Sequence, residues 1–408
     1  MRKLVLLLVL LVAMTLAACS SKEEGSQKNE NQATNQKEST ENNAQSNDIK
    51  KESNVYSTKN VTRLDTENIV DTAVQVSKTI WPATHNENKP GAIILAPSEN
   101  WQIALASANL IHHPNNGPIL FYENGELPQQ TVDEINRLAP LGISDGTQIF
   151  LVVGNMDTNM EDQLKNYKVE KISGKDAPDF AREIDKKYAE VSGEYPKGVI
   201  IVSSEEDAKL YSILAGNWIS HMPEPILYVT KDEVPQATKS ALELRGEGAS
   251  IYILGPESII SKDIEKQLQE YGDITRIKGK DPITSSIEFA KFKDEKTGFG
   301  WGSTEPGHGF SFVSTGNAEY AIAAAPFAHL GKHAPLIWLE NGEVAEETHE
   351  FLGELQPTFK DDPTTGPYNH GYLIGSEDFI TMKVQGALDI MLEIIPESGD
   401  GHGGHGGH

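Results

Sequence analysis

The chain holds a single cysteine, Cys19, among 408 residues. No disulfide can form within it, so its folded part must be held by packing alone. Basic residues are also scarce. Lys and Arg number 35 against 60 Asp and Glu, a formal charge of −25, which argues against a broad basic face and against nucleic acid as a partner. There is no Gly-Lys-Ser/Thr phosphate loop, no His-Glu-x-x-His pair and no cysteine nucleophile after Cys19. Two patterns match catalytic motifs by letters alone. Gly142-Ile143-Ser144-Asp145-Gly146 spells a nucleophile elbow but follows a predicted helix and precedes a strand, the reverse of what an elbow needs. Residues 401–406 spell a dinucleotide fingerprint without a strand, a helix or a later acidic residue. The expectation is that the chain is not an enzyme.

What is present begins with Arg2 and Lys3, an apolar run over residues 4–12, and Leu16-Ala17-Ala18-Cys19. The run is shorter than the about 20 residues of a membrane span, and charge, apolar core and small residues follow one another as in a signal peptide. The tetrapeptide resembles the bacterial lipobox. That resemblance implies removal of residues 1–18 and a diacylglycerol thioether on Cys19, with palmitate-type acyl chains holding the protein on the outer face of the cytoplasmic membrane. Residues 19–54 are Ser, Lys, Glu, Asn, Gln and Thr with hardly an apolar side chain, a composition that cannot offset its ordering entropy. They read as a disordered tether with a mean reach of about 30 to 35 Å.

The rest repeats. Three glycine-led runs, Gly91-Ala92-Ile93-Ile94-Leu95, Gly198-Val199-Ile200-Ile201-Val202 and Gly309-Phe310-Ser311-Phe312-Val313, recur with a period of about 110 residues. Three proline-led runs begin at Pro118, Pro225 and Pro335, and three more end at Gly154, Gly255 and Gly375, always in the same order. Short, continuous, β-branched runs suit strands buried on both faces of a parallel sheet. Helical stretches fall between them at 101–112, 208–219 and 318–330, and Ile69, Ala73, Val76 and Ile80 mark a helix ahead of the first unit. The predicted fold class is α/β, with three tandem open parallel-sheet units in a pseudo-threefold arrangement spanning 60–167, 168–272 and 273–394. A Gly/His-rich tail covers 395–408. The third unit carries two insertions, 293–308 with Trp301 and 356–369, and a specialised site is expected there first.

The arrangement resembles the cell wall binding repeat 2 family, which occurs as three tandem copies on surface proteins of Gram-positive bacteria. The resemblance rests on Arg63, Thr72 and Ala73 in the first unit, Gly174 and Asp176 in the second, and Arg276, Gly279 and Asp281 in the third. Asn100-Trp101-Gln102-Ile103-Ala104-Leu105 follows the family's helix start, with Ile103 in place of its aspartate. The family implies non-covalent attachment to an anionic cell wall polymer or a peptidoglycan-associated glycan.

Ligands of open parallel sheets sit beyond the carboxyl ends of the strands. Those ends carry the candidate ligand residues Ser98, Asn100, Trp101, Ser203, Ser204, Asp207, Ser314, Thr315 and Asn317. The same residues are also suited to capping the helices that follow, and Trp101 could either stack on a sugar or staple a helix start. In the tail, His402, His405 and His408 on a glycine chain are candidate ligands for nickel, zinc or copper. No cofactor beyond that metal is expected. Two rival readings remain: a solute-binding lipoprotein of a transporter, and a metal-binding protein acting through its tail.

Overall fold

The computed structural model describes residues 54–153, 160–246, 248–331 and 333–398. Cys19, the predicted signal peptide, the body of the tether and the tail histidines His402, His405 and His408 lie outside the described residues. Asn54, placed at the end of the tether by composition, is the first residue of a strand.

The chain opens with β1 (Asn54–Ser57) and β2 (Val61–Asp65), paired antiparallel. A first sheet contains β3 (Ile93–Pro97), β4 (Ile119–Tyr122), β5 (Ile149–Val152) and β6 (Val169–Ile172) in the order β4-β3-β5-β6. The second contains β7 (Gly198–Ser203), β8 (Ile226–Val229), β9 (Ala249–Leu254) and β10 (Gly272–Ile277) in the order β8-β7-β9-β10. The third contains β11 (Gly309–Ser314), β12 (Leu336–Leu339) and β14 (His370–Ile374), and it is completed by the N-terminal pair in the order β12-β11-β14-β2-β1. β13 (Thr358–Phe359) and β15 (Ile395–Pro396) form a small ladder of their own. The first residues assigned to the tail are thus part of the fold. Apart from β1 with β2, every pairing between these strands is parallel.

The strands β6, β10 and β2 link the three sheets in a cycle. After β6 the chain enters a helix, Ala177–Ser192, which packs on β8 of the second sheet; after β10, the helix Pro282–Lys291 packs on β12 of the third. After β2, which lies in the third sheet, the helix Ile69–Ile80 packs on β4 of the first. Each strand-helix pair therefore spans two sheets, and the start of the fold closes the cycle against its end. The three helices begin alike: Asn68, Asp176 and Asp281 sit in extended backbone and accept the amide three residues on, at 2.8, 3.0 and 2.8 Å. Such a cap satisfies an amide that the first helical turn leaves unpaired.

Burial explains why continuous apolar runs became strands. In β7, Ile200 and Val202 join the main core, while Val199 and Ile201 face a second cluster with Leu227, Val229, Ala241 and Leu242. Side chains alternate between faces along a strand, so a strand with two buried faces needs apolar residues at every position. The predicted helix 101–112 is interrupted: Trp101–Ser107 is α-helical and Ala108–Leu110 is a tighter turn. The predicted 208–219 is split into Lys209–Ser212 and Ala215–His221, and 318–330 into Tyr320–Ala324 and a wide turn, Phe327–Gly331. These segments converge between the sheets. Asn217 donates to the Ala334 carbonyl at 2.8 Å, Ser220 donates to that of Ala325 at 2.7 Å, and a Cβ on Gly216 would stand 3.2 Å from the Leu105 side chain. Ridges this close leave little room for a regular helix of full length.

Candidate ligand-binding site

The carboxyl ends of the core strands are tied down by one device used three times. A residue one or two places past β3, β7 and β11 accepts a backbone amide from the turn after the neighbouring β4, β8 and β12: Glu99 from Asn124, Glu205 from Lys231 at 3.4 Å, and Thr315 from Asn341 at 2.9 Å. Ser203 and Ser314 also hold equivalent places, each accepting the amide two residues on, at 3.2 Å. Asn100 caps the helix Trp101–Ser107 by accepting from the Ile103 amide at 2.9 Å. Ser203, Ser314 and Asn100 thus spend an oxygen on local backbone, as capping residues do.

Trp101 is 6% exposed; its indole N–H donates to Glu206 at 2.8 Å and its ring meets Tyr228 edge-on at 6.5 Å. It is a post between the first and second sheets, and its ring is closed to a sugar. Lys209 with Glu319 joins the second unit to the third at the corresponding level. Asp207 is exposed in a short turn, and Asn317 is half-buried at the end of another.

Two of the predicted candidates come together. Asn100 and Ser204 line a groove of about 400 Å³ with Gln102, Asp176, Pro178, Thr230 and Glu233. The groove lies between the carboxyl ends of β3 and β7 and the start of the helix Ala177–Ser192, in the range of small-ligand clefts. Gln102 fixes its floor, donating to the Ser204 carbonyl at 3.0 Å, and the buried Tyr228 hydroxyl donates to the Gln102 carbonyl at 2.8 Å. Full burial pushes that phenol far above its ordinary value and keeps it a donor. Among the described residues no lysine or arginine lines the groove; amides, hydroxyls and two carboxylates do. Ser98, Ser203, Asp207 and the three third-unit candidates are not among its lining residues. Gln102, Thr230 and Glu233 were missed from sequence, because a groove between two units draws on residues about 130 positions apart.

The residues that carry the family resemblance are structural. Arg276 in β10 donates to the Gly255 carbonyl at 2.9 Å, and Arg63 in β2 donates to that of Gly375 at 3.0 Å. Both glycines hold left-handed backbone, with φ of 116° and 123°, where a side chain is strained. Gly174 and Gly279 precede the Asp caps by two residues, and a Cβ there would stand 2.7 Å from the Phe180 amide and 2.3 Å from the Thr284 hydroxyl. Arginine, glycine and aspartate therefore lock a strand to its sheet and start the helix that follows.

Fold and groove together define a cyclic set of parallel-sheet α/β units with a polar cleft at a unit junction. Residues 171–265 match the family described as cell wall binding domain 2 (CWB2), so the family resemblance is shown over that segment. The segment includes Asp176, Pro178, Ser204, Thr230 and Glu233 of the groove. Two solved structures are similar: Cwp6 from Clostridium difficile, with a TM-score of 0.66 and 18% identity over 84% of this chain and 51% of that one, and Cwp8 from Clostridium difficile, with 0.61 and 22% over 82% and 52%. The chain spans about half the length of each. At these identities the likeness is one of fold. Comparison with curated proteins gives no match.

Proposed function

We propose that the chain is a lipid-held protein of the bacterial cell envelope that binds a wall polymer non-covalently through its three α/β units, with the junction groove as one contact site. The observation that carries this reading is the CWB2 match over 171–265, which includes the second unit's share of the groove. The export pattern ending at Cys19 supports placement outside the cytoplasmic membrane, and the long polar segment after it would let the units reach the wall.

The groove suits a hydroxyl-rich chain. Asn100, Gln102, Ser204 and Thr230 offer donors and acceptors, while Asp176 and Glu233 repel bare phosphate. An anionic polymer would bind there through its sugar or polyol hydroxyls, with a divalent cation shared between its phosphates and Glu233. The described residues from Asn54 to Ser398 pack as one compact unit around three sheets, which favours this reading over a two-lobed solute binder closing on a hinge. The role is binding and not catalysis.

Co-sedimentation of residues 51–408 with purified walls tests the reading. Retention that needs calcium and falls when anionic polymers are stripped is expected. Failure to sediment under any salt or calcium condition would remove it.

A further inference from the structure

The third unit's first insertion, with the end of the helix Ala215–His221, builds a second cavity, remote in character from the groove. It measures about 350 Å³ and is lined by Trp218, His221, Trp301, Ser303, His308 and His333, together with Lys293 and three glycines. We propose that this cavity is a binding site for a neutral pyranose sugar, held against tryptophan and imidazole rings.

The walls are built in advance. Phe299, 1% exposed, plugs the insertion into the core: its ring stacks on Tyr252 at 3.7 Å and lies 4.7 Å from Trp218. The Tyr252 hydroxyl donates to Asp294 at 2.7 Å, and Lys293 donates to the carbonyls of Gly298 and Gly300 at 2.8 and 3.0 Å. Gly300, with φ of 98°, lies so close to the Phe292 carbonyl that a Cβ would stand 2.4 Å from its oxygen. The second insertion braces the end of the first. Asn369 accepts the amides of Gly307 and His308 at 2.8 and 3.1 Å and donates to the Leu355 carbonyl at 2.7 Å. Preformed walls spare a ligand the cost of ordering them.

The lining chooses the ligand. Trp301 is half-buried, stacked on His221 at 5.7 Å and edge-on to Trp218 at 5.1 Å, giving a rigid aromatic surface at a cavity mouth. His221 and His333 bond to one another through one ring nitrogen each, at 3.0 Å, and each ring has a second nitrogen for a ligand hydroxyl. Burial keeps His221 and His308 uncharged near neutral pH. Ser303 is 1% exposed, and its hydroxyl makes no hydrogen bond among the described residues. A buried hydroxyl without a partner is costly to keep, and a ligand hydroxyl is the partner this cavity can supply. Among the described residues no carboxylate lines the space, and the lysine that does, Lys293, is already bonded to two carbonyls. Aromatic surface with uncharged donors and acceptors fits a neutral sugar better than an ion, a peptide or a fatty chain.

Ligand-observed saturation-transfer NMR on the purified protein with glucose, N-acetylglucosamine and glucuronate, each alone, tests the assignment. Saturable transfer to a neutral sugar is expected, lost in Trp301→Ala and weakened about fivefold in Ser303→Ala. Ser303→Ala is also expected to hold or raise the melting temperature, since it removes an unbonded hydroxyl, so loss of binding there cannot come from unfolding. No saturable response to either neutral sugar, response to glucuronate alone, or wild-type affinity in both variants would overturn the proposal. Wall co-sedimentation of Ser303→Ala should remain that of the wild type, which separates this cavity from the junction groove.

Discussion

Arg63 and Gly375 lie 312 residues apart, and the guanidinium of the first donates to the carbonyl of the second at 3.0 Å. Arg63 is wholly buried and also donates to Gln385 at 2.7 Å and to the Thr381 carbonyl at 3.3 Å. Its partner in the second sheet, Arg276, makes the equivalent bond across 21 residues. The same lock thus serves locally in one sheet and as the clasp of the cycle in another.

Arg63→Ala leaves three acceptors without their donor and loosens β2 from β14. A loss of about 2 to 4 kcal/mol is expected from hydrogen bonds made by a charged group, read as a lowered urea midpoint. Arg276→Ala should cost less, because its guanidinium is nearer the surface and shared with Glu265 at 2.6 Å.

Asp185 and Arg245 form an ion pair at 2.7 Å with both side chains fully buried, joining the helix Ala177–Ser192 to the end of the helix Gln236–Glu243. Burial raises the Asp185 carboxyl above its ordinary value, and Arg245 offsets part of that rise. Arg245→Met strands the carboxylate and should cost about 3 to 5 kcal/mol by chemical denaturation. The double variant Asp185→Leu with Arg245→Met should recover most of that loss, since a buried pair can often be replaced by apolar residues.

Three half-buried histidines set the acid limit. His112 lies 5.4 Å from His329 ring to ring, and its Nδ1 is 2.8 Å from the Tyr188 hydroxyl. Burial first, and a neighbouring imidazole second, lowers His112 and His221 from 6.5 to about 4 and His329 to about 3. With folded values below unfolded ones, the unfolded chain takes up protons first as pH falls. Stability is therefore full above about pH 6.5 and is lost down to about pH 3. Each histidine contributes a slope of at most about 1.4 kcal/mol per pH unit, less for its residual exposure. Melting temperatures from pH 7 to 4.5 should fall, and His112→Gln with His329→Gln should flatten the fall.

Core strands were legible in the sequence because Gly198–Ser203 and its counterparts are buried on both faces and read as unbroken apolar runs. The strands that link the sheets were not. Val61–Asp65 and Val169–Ile172 mix charged and apolar residues, the first because its buried Arg63 is bonded within the fold and the second because it is an edge strand that partly meets water, so nothing local shows which sheet either one joins. Trp101 was open to a ligand reading because its partner Glu206 is 105 positions away. The insertion 293–308 stood out as a place for a specialised site, but the plugging role of Phe299 depends on Tyr252 and Trp218, which no spacing rule connects.

The most direct test of the binding account is calorimetric titration of residues 51–408 with a purified wall-polymer fragment in calcium, for the wild type and for Thr230→Trp, whose indole fills the groove of Asn100, Ser204 and Glu233. The account predicts saturable binding by the wild type, and several-fold weaker binding by the variant at an unchanged melting temperature. Equal affinity in the two proteins would place the polymer elsewhere and contradict the groove, and absence of heat from both would contradict polymer binding itself.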